Sequence, residues 1–142
     1  MGRPRRDESG AAILEFSLVV GLFVFILYAL IAFGLMLSLK QSITAAAAEG
    51  ARAAVGISDD ATALTTAQTT AAERLDWLST SQKAALIITP TILDPCPGGS
   101  GRCMQVEVTY PYEGNELVPP APGLGLVTPS SFGSTAVVKI TD

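Results

Sequence analysis

Gly10 and Glu15 stand at the mouth of a long apolar run, and their types and spacing could do chemistry. No charged residue occurs from Phe16 to Leu39. As a helix that stretch is about 36 Å long at 1.5 Å rise per residue, enough to cross a hydrocarbon core of roughly 30 Å with some tilt. A carboxylate there is costly, about 2.5–3.5 kcal/mol at mid-bilayer on insertion scales and less near the interface, so it calls for a partner charge or a function. The chemistry open to Glu15 is charge pairing. A second pair is Cys96 and Cys103, which enclose a flexible stretch from Pro97 to Arg102. A local disulfide is the natural reading and two free thiols the alternative. Two thiols, no histidine and a spacing unlike a zinc knuckle argue against a metal.

The elements that must carry these residues are simple. The chain has 142 residues, 49% of them hydrophobic. Residues 11–39 are almost wholly apolar, whereas 40–142 are rich in Ala, Thr, Gly and Pro with scattered charges. Gln41 to Val55 has no proline and many alanines, which predicts that the membrane helix continues as a stalk and ends at Gly56. Ser58, Asp59 and Asp60 form an N-cap cluster opening a second helix over 60–79, with Leu64, Ala67, Ala71, Leu75 and Leu78 on one face. Trp77 reads as a packing residue, and Glu49 with Arg52 as a solvated ion pair.

Beyond Ser81 the pattern becomes β-like. Ala85–Ile88 and Thr91–Leu93 flank Pro90, which favours an edge position or a bulge. Met104, Val106, Val108 and Tyr110 alternate with polar residues as a half-buried strand. Thr135–Thr141 is a third run, with Ala136, Val138 and Ile140 on one face. Pro111–Gly133, containing Pro119, Pro120, Pro122 and Pro129, is a long loop of the kind that makes contacts or moves. The expected fold is α+β: a long N-terminal transmembrane helix continuing into a stalk, a second helix and about three antiparallel strands. A soluble part of this size buries only a modest core and gains from outside support.

Charge orients the chain. Arg3, Arg5 and Arg6 precede the apolar run and a lone Lys40 follows it. The positive-inside rule puts the N-terminus in the cytoplasm and the remainder outside. Formal net charge is −4 and the outer part is acidic, which argues against nucleic acid. The sequence holds no histidine base, no Gly-rich lysine loop and no acidic cluster, so neither an enzyme nor a cofactor is expected.

Arg5-Arg6-Asp7-Glu8-Ser9-Gly10, then Ala11-Ala12-Ile13-Leu14-Glu15-Phe16, then an apolar helix reaching Glu49-Gly50-Ala51-Arg52, resembles the TadE-like pseudopilins of tight-adherence (Flp, type IVb) pilus systems. The resemblance is strong over residues 5–55 and loose beyond. It implies a basic leader, residues 1–10, removed by an aspartic prepilin peptidase between Gly10 and Ala11, followed by a transmembrane helix 11–39, a stalk 40–56 and an extracytoplasmic α+β domain 57–142. Glu15 then becomes mature position five. Phe16, where the major Flp pilin typically has tyrosine, points to the minor branch. The implied partners are the cytoplasmic membrane, the peptidase, other pilins and pseudopilins and the assembly platform. The implied outcome is pilus assembly supporting adhesion and biofilm formation, with filament, tip, base and accessory positions all open. The free amine created at Ala11 would pair with Glu15 of a neighbouring subunit.

Two other readings are open on the residues. One is a secreted protein cut at Ala46-Ala47-Ala48 or Ala51-Arg52-Ala53, against which the apolar region far exceeds a normal h-region. The other is an unprocessed single-pass anchor presenting an extracytoplasmic binding module.

Overall fold

The computed structural model describes residues 8–119 and 128–140. Arg3, Arg5, Arg6 and Asp7, together with Pro120, Pro122 and Thr141, lie outside the described residues. Among the described residues three helices are followed by three strands: α1 Glu8–Ala53, α2 Asp60–Glu73, α3 Thr80–Ala85, β1 Ile87–Leu93, β2 Arg102–Pro111 and β3 Ser131–Ile140. Two compact units divide it, one ending at Leu35 and one beginning at Met36.

In the first unit α1 is apolar nearly all round. Leu14, Phe16, Leu18 and Phe23 are exposed, with Phe16 at 69%, and the helix is long and apolar enough to cross a membrane. A helix hydrophobic on every side is stable only in lipid or among other apolar helices.

The second unit has a core because its helices are one-sided. Met36, Leu39, Ile43, Ala46, Ala47, Ala51 and Ala54 of the α1 segment and its end are buried at three- and four-residue spacing, which is one helix face. Gly56, at φ +87°, ends the turn after α1. Asp59 then caps α2, its carboxylate accepting from the Thr62 backbone N–H at 2.8 Å. The Thr62 hydroxyl first, and then that N–H, hold the Asp59 carboxyl below its ordinary range. This stabilisation is present above the unfolded carboxyl's pKa and fades as pH falls through the lower folded value.

The two helices meet through small residues. A Cβ added to Gly50 would lie 2.7 Å from the Ala67 carbonyl oxygen and 3.0 Å from the Ala71 Cβ. The close approach exists because position 50 has no side chain. Gly50→Ala gains about 1 kcal/mol of helix propensity but drives a methyl into a backbone carbonyl, and such overpacking costs typically 1–3 kcal/mol. Repulsion wins, so the variant should melt a few degrees below wild type in detergent. An unchanged or raised melting temperature would show that the helices are not locked here.

The sheet has the order β1-β2-β3, antiparallel throughout. Its central strand buries Met104, Val106, Val108 and Tyr110, as the alternation predicts, and α2 packs on β1 and β2. Each fully buried large side chain contributes about 1.5–3 kcal/mol, whereas the alanines of the helix pair contribute little each. Cross-links therefore matter in so small a core.

Several expectations need correction. α2 stops at Glu73, not residue 79, and turns lead to α3, which takes up Ala85, expected to begin a strand. The reason is a capping box: the Ser79 N–H donates to Gln82 Oε1 at 3.0 Å and the Gln82 N–H to Ser79 Oγ at 3.4 Å. β1 runs unbroken through Pro90, as an edge strand can. β3 begins at Ser131, because Phe132, Gly133 and Ser134 pair with Tyr110, Thr109 and Val108 and so shorten the expected loop. Glu49 pairs with Arg74 of the chain after α2, not with Arg52. Trp77 is 51% exposed rather than packed, while its neighbour Leu78 is buried.

Candidate functional site

Four of the N-terminal residues singled out by the sequence lie on α1. Gly10, Ala11, Glu15 and Phe16 are exposed in its first described turns. Ala11 and Glu15, four apart, share one face. Helical side chains lean toward the N-terminus, so the Glu15 carboxylate tilts to the end where a new amine at Ala11 would stand. A Cβ built on Gly10 meets nothing within 4 Å. Nothing in the described fold therefore requires glycine there, unlike Gly50.

Cys96 and Cys103 are joined, with Cα atoms 5.3 Å apart. The Cys96 N–H donates to the Gly101 carbonyl at 2.8 Å and the Gly99 N–H to the Cys96 carbonyl at 3.1 Å. Gly98 and Gly101 take φ +83° and +99°, a left-handed conformation that suits glycine. The bridge closes the turn entering β2, and Arg102 beside it pairs with Asp60 at the start of α2. The disulfide closes the connection between β1 and β2, and the ion pair ties β2 to the start of α2. Thiol alkylation of freshly extracted, unreduced protein should label neither cysteine. Labelling of both would mean either that the bridge is absent from the extracted protein or that the orientation read from the arginines is reversed.

The long loop leaves β2 through a fixed corner. The Tyr110 hydroxyl donates to the Asn115 carbonyl at 2.6 Å and the Asn115 amide to the Pro111 carbonyl at 3.1 Å. Burial raises the Tyr110 pKa, with Tyr112 and Glu116 adding to it. Tyr112 and Phe132 meet edge to face at 5.3 Å. Tyr112, Glu113, Glu116, Thr128, Pro129 and Ser130 line an open hollow of about 280 Å³. Among the described residues no three Cys, Asp or Glu side chains are grouped to hold a metal.

Sequence reasoning missed two parts of this arrangement. The Glu49–Arg74 pair joins residues whose partnership follows only from the hairpin. The capping box that makes α3 was legible as Ser79-x-x-Gln82 and was overlooked.

Residues 10–52 match the family model described as TadE-like protein, within the segment 5–55 that carries the resemblance. No curated protein and no solved structure matches the chain.

Proposed function

We propose, from the match of residues 10–52 to the TadE-like family, that this chain is a minor pseudopilin acting in assembly of a tight-adherence pilus. Its parts are a leader 1–10, a transmembrane helix 11–39, a stalk 40–56 and an extracytoplasmic domain 57–142. The single observation that carries the reading is the matched segment itself: an exposed apolar helix opening with Gly10 and with Glu15 five residues on. A prepilin peptidase cuts between Gly10 and Ala11 on the cytoplasmic face. Cutting leaves an ammonium at Ala11, and a carboxylate and an ammonium are each costly in a low-dielectric surround but much less so together. Docking of the Ala11 amine of one subunit on Glu15 of the next fixes their axial register. The outer domain stands outside the cytoplasm, where the Cys96–Cys103 bridge persists.

The experiment is affinity purification of the full chain, tagged after its C-terminus, from membranes of cells that make the pilus. Co-purification of pilins, pseudopilins or the assembly platform supports the reading. Recovery of the chain alone, with residues 1–10 still attached, favours the unprocessed anchor with a binding module.

A further inference from the structure

β3 is an edge strand, and the phase of its hydrogen bonds says which residues face out. The Tyr112 N–H donates to the Ser130 carbonyl at 2.9 Å, next to the pair Pro111 and Ser131. Along an antiparallel ladder, opposed pairs that exchange backbone bonds alternate with pairs that do not. The even-numbered residues from Phe132 to Ile140 therefore bond to β2, while Gly133, Thr135, Val137 and Lys139 turn their N–H and C=O groups away from it. Lys40 agrees with this phase, because its Nζ donates to the outward Gly133 carbonyl. Among the described residues no backbone bond from outside the sheet reaches Thr135, Val137 or Lys139.

The opposite edge is closed in a way this one is not. The same alternation turns Ile88, Pro90 and Ile92 of β1 outward, and proline has no N–H to offer there. Proteins protect sheet edges with proline, bulges or charge. β3 keeps an unbroken register with β2 from Ser131 to Ile140, holds no proline and carries a single charge, Lys139. Val137, 44% exposed, stands between Thr135 and Lys139 on this edge.

Charge says what fits there. Arg74, Lys83 and Arg102 pair with carboxylates. Lys40 and Lys139 have no carboxylate partner among the described residues, and they flank the edge, one at Gly133 and one six residues on. That interval is about 20 Å at roughly 3.3 Å per residue. Glu107, opposite Thr135, disfavours a carboxylate midway. A second copy suits the edge poorly: its β1 edge is interrupted by Pro90, and its β3 edge would bring two more cations to the seam.

We propose that the β3 edge takes up an extended, acidic segment of a partner protein as a fourth strand. The segment's backbone bonds to Thr135, Val137 and Lys139, and carboxylates near its two ends meet Lys40 and Lys139. This contact stands apart from the pairing of Ala11 with Glu15 and does not depend on it.

The test uses the full chain in detergent micelles and a fluorescently labelled heptapeptide, Glu-Thr-Val-Thr-Val-Thr-Glu, which reads the same in both directions and sets its glutamates six residues apart. Anisotropy should show saturable binding, weakened about tenfold when both glutamates are replaced by lysine. Alternate amides of a paired strand face the edge, so N-methylation of the peptide in one alternating phase should abolish binding and in the other phase spare it. Lys139→Glu, a change on an exposed side chain, should keep the melting temperature and remove the preference between the glutamate and lysine peptides. No saturable binding, equal binding of the two peptides to the wild type, or equal loss in both methylation phases overturns the proposal. So does a dimer, seen by light scattering, that Val137→Pro converts to monomer while the peptide stays unbound, because the edge then belongs to a second copy.

Discussion

Glu15→Leu should yield protein that is processed, stable and retained in the membrane, yet no longer co-purifies with pilus components. Its neighbours are apolar and exposed, Leu14 at 73% and Phe16 at 69%, and Glu15 itself is exposed on α1. Replacing it therefore disturbs no packing within the described chain. Insertion should improve, because the penalty of a carboxylate near the hydrocarbon is removed. Under the proposed function, what is lost is the acceptor for a neighbouring Ala11 amine. Breaking a sheltered pair from one side costs up to about 3–5 kcal/mol, or roughly two to three and a half orders of magnitude in association at about 1.4 kcal/mol per tenfold. Undiminished co-purification would reduce Glu15 to a boundary residue and make the plain anchor the better reading.

The second large effect concerns Gly10. Valine at this position is tolerated by the fold, since a Cβ meets nothing within 4 Å and valine is no worse than glycine in a helix. A protease subsite beside the scissile bond is less forgiving, because a branched side chain occupies the space the substrate backbone must enter. Gly10→Val should accumulate as an inserted precursor that retains residues 1–10, with the melting behaviour of the outer domain unchanged. Mature-sized protein from this variant would remove the pseudopilin assignment.

The sequence and the structure agree where one periodicity dominates. The charge-free run from Phe16 and the alternation from Met104 to Tyr110 are each long enough to specify an element without help from the rest of the chain. They diverge where partners come from elsewhere. Glu49 has Arg52 one helical turn away, but the close crossing at Gly50 brings Arg74 to it instead. Trp77 looks like core by type, and only the turn after α2, with Leu78 taking the inward place, turns it out. The Glu49-Gly50-Ala51-Arg52 motif thus gains a physical reason within this chain: Glu49 pairs, Gly50 allows the approach, and Ala51 is buried. Of the N-terminal site, residue types and spacing were legible from Gly10 to Phe16. The subunit that would face Glu15 is outside any single chain, so no intrachain pattern could reveal it.

The central claim is that a peptidase converts this chain into an assembling subunit by exposing the Ala11 amine. Its most direct test is the intact mass of wild-type protein extracted from membranes of cells that make the pilus. The expected mass lacks residues 1–10 and includes the Cys96–Cys103 bridge. A mass that retains residues 1–10, or one that has lost everything up to the Ala46–Ala53 region, would contradict it, the first in favour of a plain anchor and the second in favour of a cleaved signal sequence.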